Sequence, residues 1–147
     1  MNVVVDTNII ISALLNIDSN IAGILLDKKN KFQFFAISNL KEEVQNHKAK
    51  IVQYSGFTNT QFNKTIKILY SEINFIPIDE IPNSILFKSR KLTKDIDFED
   101  MHFVALAIHL KIKLWTGDKK LITGLKAIGF ERLITTQELY KYTYKKI

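Results

Sequence analysis

Four acidic residues of this chain stand where a folded protein ordinarily avoids carboxylates: Asp6, Glu43, Asp100 and Asp118. Asp6 ends the apolar run Val3-Val4-Val5, and Asp118 follows Leu114-Trp115-Thr116-Gly117. Each therefore closes a segment that reads as a strand. Glu43 and Asp100 fall on the apolar sides of two helical patterns. Burying one ionised carboxylate is costly unless it is paired or protonated, and four together point to a cation that holds them. Oxygen-only ligands suit the hard cations Mg²⁺ and Mn²⁺. Such a site can polarise a phosphodiester, activate a water and stabilise the leaving oxygen. One tight ion with a weaker second fits the sequence as well as two equal ions. The chain has no cysteine, which excludes disulfides, thiol catalysis and thiolate zinc sites. His47, His102 and His109 read as surface or satisfied histidines rather than catalytic ones.

Each carboxylate also has a plainer role. Asp6 can cap the helix after the first strand, with Thr7 and Asn8 as turn residues, and Asp118 can cap the helix that follows it. Asp100 can sit at the positive end of its own helix, and Glu43 can belong to a solvated face. Helical geometry weighs against the last two. Residues three, four and seven apart share a face, and from Asp100 these are Phe103, Val104 and Ala107, all apolar. In the earlier helix the apolar stripe is Leu40, Val44 and Ile51; Glu43 borders it, whereas Glu42 points away. Asp97 lies three residues before Asp100 and can join it.

The elements that must position these residues alternate. Strands are expected at 2–6, 32–37, 75–78, 113–116 and 133–134. Helices are expected at 8–15, 19–29, 38–53 (capped by Ser38), from Thr58 onward, 83–92, 100–110, from 119 to Gly124 or Gly129, and 137–145. Thr58 and Gln61 have capping-box spacing. Phe62, Ile66, Leu69 and Ile73 form one stripe, so that segment is expected to be amphipathic. The pattern predicts a three-layer α/β/α fold around a central, mostly parallel sheet of about four to five strands. Ligands bind such sheets beyond the carboxyl ends of the strands. Asp6 and Asp118 lie at such ends, and the helix starts that carry Asp100 and Glu43 face the same edge.

With 147 residues and no linker, repeat or low-complexity tract, the chain reads as one domain, 1–147, with a core that needs no staples. No basic-then-apolar leader opens it, and no apolar run approaches the roughly 20 residues of a membrane helix. A soluble cytoplasmic protein with no membrane partner is expected. The net charge of +6 suits a polyanionic partner such as nucleic acid. It equally suits a lysine-rich surface of no special purpose, since only Arg90 and Arg132 are arginines.

The residues resemble the PIN domain, a nuclease family that includes many toxin–antitoxin ribonucleases. The resemblance rests on four blocks in order, which together span nearly the whole chain. They are Val3-Val4-Val5-Asp6-Thr7-Asn8, Ser38 through Val44, Asp97 through Ala107, and Leu114-Trp115-Thr116-Gly117-Asp118. The stretch 135–139 resembles the closing strand-to-helix step. The resemblance implies that Asp6, Glu43, Asp100 and Asp118 are the catalytic, metal-binding acids, with Asp97 as an extra acidic ligand. It implies supporting roles for Asn8 and Thr116, and Mg²⁺- or Mn²⁺-dependent cleavage of RNA to a 5′-phosphate and a 3′-hydroxyl. An antitoxin partner and a homodimer belong to the same expectation.

Lys119 and Lys120, with Arg90, Lys91 and Lys94, can neutralise RNA phosphates beside the acids, an interaction that weakens with salt. Ordinary solvated lysines are the alternative. The segment 62–73 can clamp RNA, form a dimer face or dock a partner helix, although packing on its own domain explains it as well. Two other classes compete: a non-catalytic nucleic-acid-binding PIN domain, and an aspartate-phosphorylated α/β domain. The complete acid set argues against the first. The second lacks its Asp-x-Asp pair, because position 8 is Asn.

Overall fold

The structure is a computed structural model that describes residues 1–27, 32–96 and 100–144. Five strands, β1 (Asn2–Val5), β2 (Gln33–Ile37), β3 (Ile73–Ile76), β4 (Lys113–Trp115) and β5 (Leu133–Ile134), form a sheet in the order β3-β2-β1-β4-β5. Every pairing between these described strands is parallel. The helices are α1 (Thr7–Leu15), α2 (Asn20–Leu26), α3 (Leu40–Asn46), α4 (Lys48–Ser55), α5 (Asn59–Ser71), α6 (Asn83–Thr93), α7 (Met101–Leu110), α8 (Lys119–Ala127) and α9 (Thr136–Tyr144). The chain steps from β1 through β2 to β3 in one direction. It then crosses back to β4 and β5 in the other. Right-handed crossovers therefore put α1–α5 on one face and α6–α8 on the opposite face. The contacts agree: α1 packs on α2–α5, α6 on α7 and α8, and α9 returns to α2.

β1 lies in the middle of this sandwich. Val3, Val4 and Val5 are fully buried, as a central parallel strand with helices on both faces requires. Beside them, the Phe34 and Trp115 rings sit 5.9 Å apart. The Trp115 indole N–H is buried and donates to Thr136 Oγ1 at 3.0 Å, which ties β4 to the start of α9.

Three expectations need correction. The helix expected over 38–53 is two helices, and its cap position is Asn39, with no side-chain capping bond, rather than Ser38. The break falls at His47, whose Nδ1 donates to the Glu43 carbonyl at 2.8 Å. A side chain thereby takes an acceptor that an unbroken helix would offer to backbone. The third strand runs from Ile73 to Ile76 rather than over 75–78, so Ile73 belongs to the sheet and not to the amphipathic stripe. That stripe otherwise packs on its own domain, with Phe62 and Leu69 buried, and α5 contacts α1 and β3. The Thr58–Gln61 capping box forms in full. The second expected helix stops at Leu26 among the described residues; residues 28 and 29, and position 145 of the last helix, lie outside them.

Candidate metal and nuclease site

The sheet order reverses at β1: β2 leaves on one side and β4 joins on the other. The crevice between the carboxyl ends of β1 and β4 is therefore the switch point at which ligands of open α/β sheets bind. Val5 pairs with Trp115 in register. The next residues along the two strands are Asp6 and Thr116, and both are buried.

Asp6 is extended (φ −87°, ψ 169°) and caps α1, its Oδ1 accepting from the Ile9 N–H at 3.0 Å. The capping role and the site role are compatible because a carboxylate has two oxygens. Its second oxygen, Oδ2, is buried and has no hydrogen-bond partner. Burial pushes the Asp6 carboxyl up to about 6. The Thr116 hydroxyl and the N–H groups of Ile9 and Asn8 oppose that shift, and the nearby Asp118 carboxylate adds to it. Thr116 Oγ1 accepts from the Asp118 N–H at 3.1 Å, and Oδ2 of Asp6 has no partner.

Asp118 is the N-cap of α8, with Oδ1 accepting from Leu121 N–H at 3.1 Å, and it is half-buried. The turn from Thr116 through Gly117 to Asp118 is held by that Thr hydroxyl accepting from the backbone two residues on. Glu43 is half-buried and Glu42 exposed, as the helical-face argument requires. Thr7 Oγ1 donates to Glu43 Oε2 at 2.9 Å. Thr7 is itself buried and directly follows Asp6, so this bond draws Glu43 from another helix toward the end of β1. The sequence reading treats Thr7 as a turn residue and misses that bond. The available signal is a hydroxyl in the first helical turn, next to a buried acid.

Asp100 is 9% exposed and occupies the N-cap position of α7 without making a capping bond. α7 packs on β1, β2 and β4, and only a short turn separates its end at Leu110 from β4. Asp100 thus opens the helix at the end facing the carboxyl edge of the sheet. Two buried hydroxyls fix that end: Ser89 Oγ donates to the Met101 carbonyl, and Thr93 Oγ1 donates to the Ser89 carbonyl at 3.0 Å. Asp97 lies outside the described residues. Asn8 is exposed, and its backbone N–H acts on Asp6. Lys119 and Lys120 are exposed in the first turn of α8, beside Asp118; Arg90, Lys91 and Lys94 are exposed at the end of α6.

Hard oxygen donors, a buried carboxylate oxygen with no partner and a second carboxylate pressing on it fit a divalent cation, which would relieve both the desolvation and the repulsion. Among the described residues, no three acidic or histidine side chains stand close enough to form a ready cage. Asp6 and Asp118 each give one oxygen to a helix cap and Glu43 gives one to Thr7, so each keeps a second oxygen for a ligand.

Fold and crevice define an α/β domain with an acidic switch-point site. Residues 4–142 match the PIN domain family, and the chain belongs to it. Among solved structures, it is similar to a chain of VapBC2 from Rickettsia felis bound to a DNA fragment from their promoter. The two share 18% identity over 92% of this chain and 98% of that one, with a TM-score of 0.69. Comparison with curated proteins found no match. Among the described residues, no single helix is long and apolar enough to cross a membrane.

Proposed function

We propose that this protein is a Mg²⁺- or Mn²⁺-dependent endoribonuclease and the toxin of a toxin–antitoxin pair. The observation that carries the reading is Asp6 at the switch point of a PIN domain, whose Oδ2 is buried without a partner and whose carboxyl feels the nearby Asp118. Asp6, Glu43, Asp100 and Asp118 would hold the cation, with Asp97 as a further ligand. A bound divalent ion would supply a nucleophilic water and charge stabilisation at the scissile phosphate. The chain's own contribution is positional. The caps of α1 and α8 fix one oxygen each of Asp6 and Asp118 and leave the other for the ligand. Thr7 orients Glu43, and Thr116 shapes the turn that presents Asp118. Asn8 is an exposed candidate for a contact to water or RNA. Lys119, Lys120, Arg90, Lys91 and Lys94 would neutralise flanking phosphates. Cleavage would leave a 5′-phosphate and a 3′-hydroxyl.

The likeness to VapBC2, a toxin–antitoxin complex, supports a protein antitoxin as partner. A homodimer and a cytoplasmic location complete the reading. The decisive experiment is cleavage of RNA by purified protein with Mg²⁺ or Mn²⁺ and with EDTA. Activity should require metal and be lost in both Asp6→Asn and Asp118→Asn. Full activity in both variants would remove the site from this crevice. Metal-independent binding of RNA without cleavage would make the domain a non-catalytic one.

A further inference from the structure

At the opposite edge of the sheet, a cavity of about 300 Å³ is lined by Lys88, Ile108, Lys111, Phe130 and Arg132. It lies where α7 ends and β5 begins. That is the far end of a ten-residue helix from Asp100, or roughly 15 Å at 1.5 Å per residue. Its wall combines three cations with an aromatic ring and an aliphatic side chain. Among the described residues no carboxylate lines it; even Glu131, between two of the lining residues in sequence, does not. Lys111 adds a second, independent peculiarity. It is the one non-glycine residue with positive φ among the described residues (φ 58°, ψ 42°), and it ends α7 at a position that folding alone would give to Gly or Asn. A lysine there adds charge to the cavity at a cost in backbone conformation.

We propose that this cavity binds one nucleotide unit, its phosphate among Lys88, Lys111 and Arg132 and its base against Phe130 and Ile108. The volume is at the lower end of small-ligand sites, as a single nucleotide requires. Base stacking on an aromatic ring with neighbouring cations is how single strands are held without sequence reading. The nucleotide can be free or part of an RNA strand, and only the second source rests on the proposed ribonuclease reading.

The test is equilibrium binding of AMP, inorganic phosphate and a short fluorescent single-stranded RNA to the full chain in EDTA, where cleavage plays no part. Lys111→Gly removes the cation while easing the backbone, so it should fold at least as well as the parent. Phe130→Ala probes the base, and Lys50→Ala, at an exposed position of α4, controls for bulk charge. Lys111→Gly should weaken binding about tenfold, as loss of one charged contact does. It should also reduce the salt slope by about one. Phe130→Ala should weaken nucleotide but not phosphate, and Lys50→Ala should change little. AMP binding that Lys111→Gly weakens assigns a free nucleotide, and RNA binding that Lys111→Gly weakens without any AMP binding assigns a strand. Absence of both, equal effects of Lys111→Gly and Lys50→Ala, or phosphate binding as well as AMP with no effect of Phe130→Ala, overturns the proposal. Because no metal is present, these outcomes are independent of whether the acidic crevice cleaves RNA.

Discussion

Asp6→Asn should make the metal-free protein more stable while destroying its proposed activity. The folded state holds the Asp6 carboxyl at about 6 against an ordinary value of 3.8, chiefly through burial. The native state therefore binds more protons than the unfolded chain between these two values. By linkage, its stability falls as pH rises through that window and stays reduced above it. A carboxyl raised from 3.8 to about 6 costs up to about 3 kcal/mol at pH 7. Asparagine keeps the oxygen that caps α1 through Ile9, carries no charge and removes the repulsion with Asp118. For a domain of this size, about 3 kcal/mol raises the melting temperature by about 6–12 °C. The assay is thermal unfolding in EDTA at several values between about pH 4 and pH 7.5, which bracket the titration window. The variant's advantage should be full at pH 7 and shrink toward pH 4. Adding Mg²⁺ or Mn²⁺ at about a hundred times its dissociation constant should then stabilise the parent by about 2.7 kcal/mol. The variant should gain much less. Equal stability of the two proteins at pH 7 in EDTA, or a gap independent of pH, would refute the reasoning that Asp6 is held at a cost to folding for the sake of a ligand.

Glu43→Gln should reduce RNA cleavage far more than Glu42→Gln, because only Glu43 is drawn toward β1; initial rates measure this, and the reverse order would move the second acid to Glu42. Thr7→Val deletes the bond to Glu43 Oε2 and should lower cleavage, with part of the loss recovered by Thr7→Ser. Equal rates in parent and Thr7→Val would remove Thr7 from the site. Gly124→Ala places a methyl group 2.7 to 2.8 Å from three side-chain carbons of Ile96, ahead of the acidic start of α7. It should destabilise by about 1–3 kcal/mol in urea unfolding, and Ile96→Ala should relieve the clash in the double variant. Thr58→Ala breaks the capping box of α5 and should cost about 1 kcal/mol in the same measurement, with cleavage unchanged.

The first strand was legible in the sequence because a central parallel strand buried on both faces is apolar throughout, as Val3 to Val5 are. The β1 and β4 acids were legible for a related reason: a carboxylate ending such a run has few ordinary uses. Helical periodicity separated Glu43 from Glu42, since a face is a matter of spacing. Periodicity is silent on breaks caused by a side chain, so the division at His47 went unseen. It is also silent on where an amphipathic stripe passes into a strand, which misplaced Ile73.

By itself, the sequence determined the alternation of elements, the parallel sheet and the edge at which Asp6 and Asp118 follow their strands. These follow from local propensity, apolar patterning and chain topology. Tertiary structure alone decided which oxygen of Asp6 is spent on a cap and which is left buried without a partner. It also decided that Thr7 reaches Glu43, that Ser89 pins the start of α7, and that Lys88, Lys111 and Arg132 line one cavity. Hydrogen bonds and cavities of this kind join residues far apart in the chain. A hydrogen bond forms or fails over a fraction of an ångström, and the fine placement of packed elements is what sets that distance.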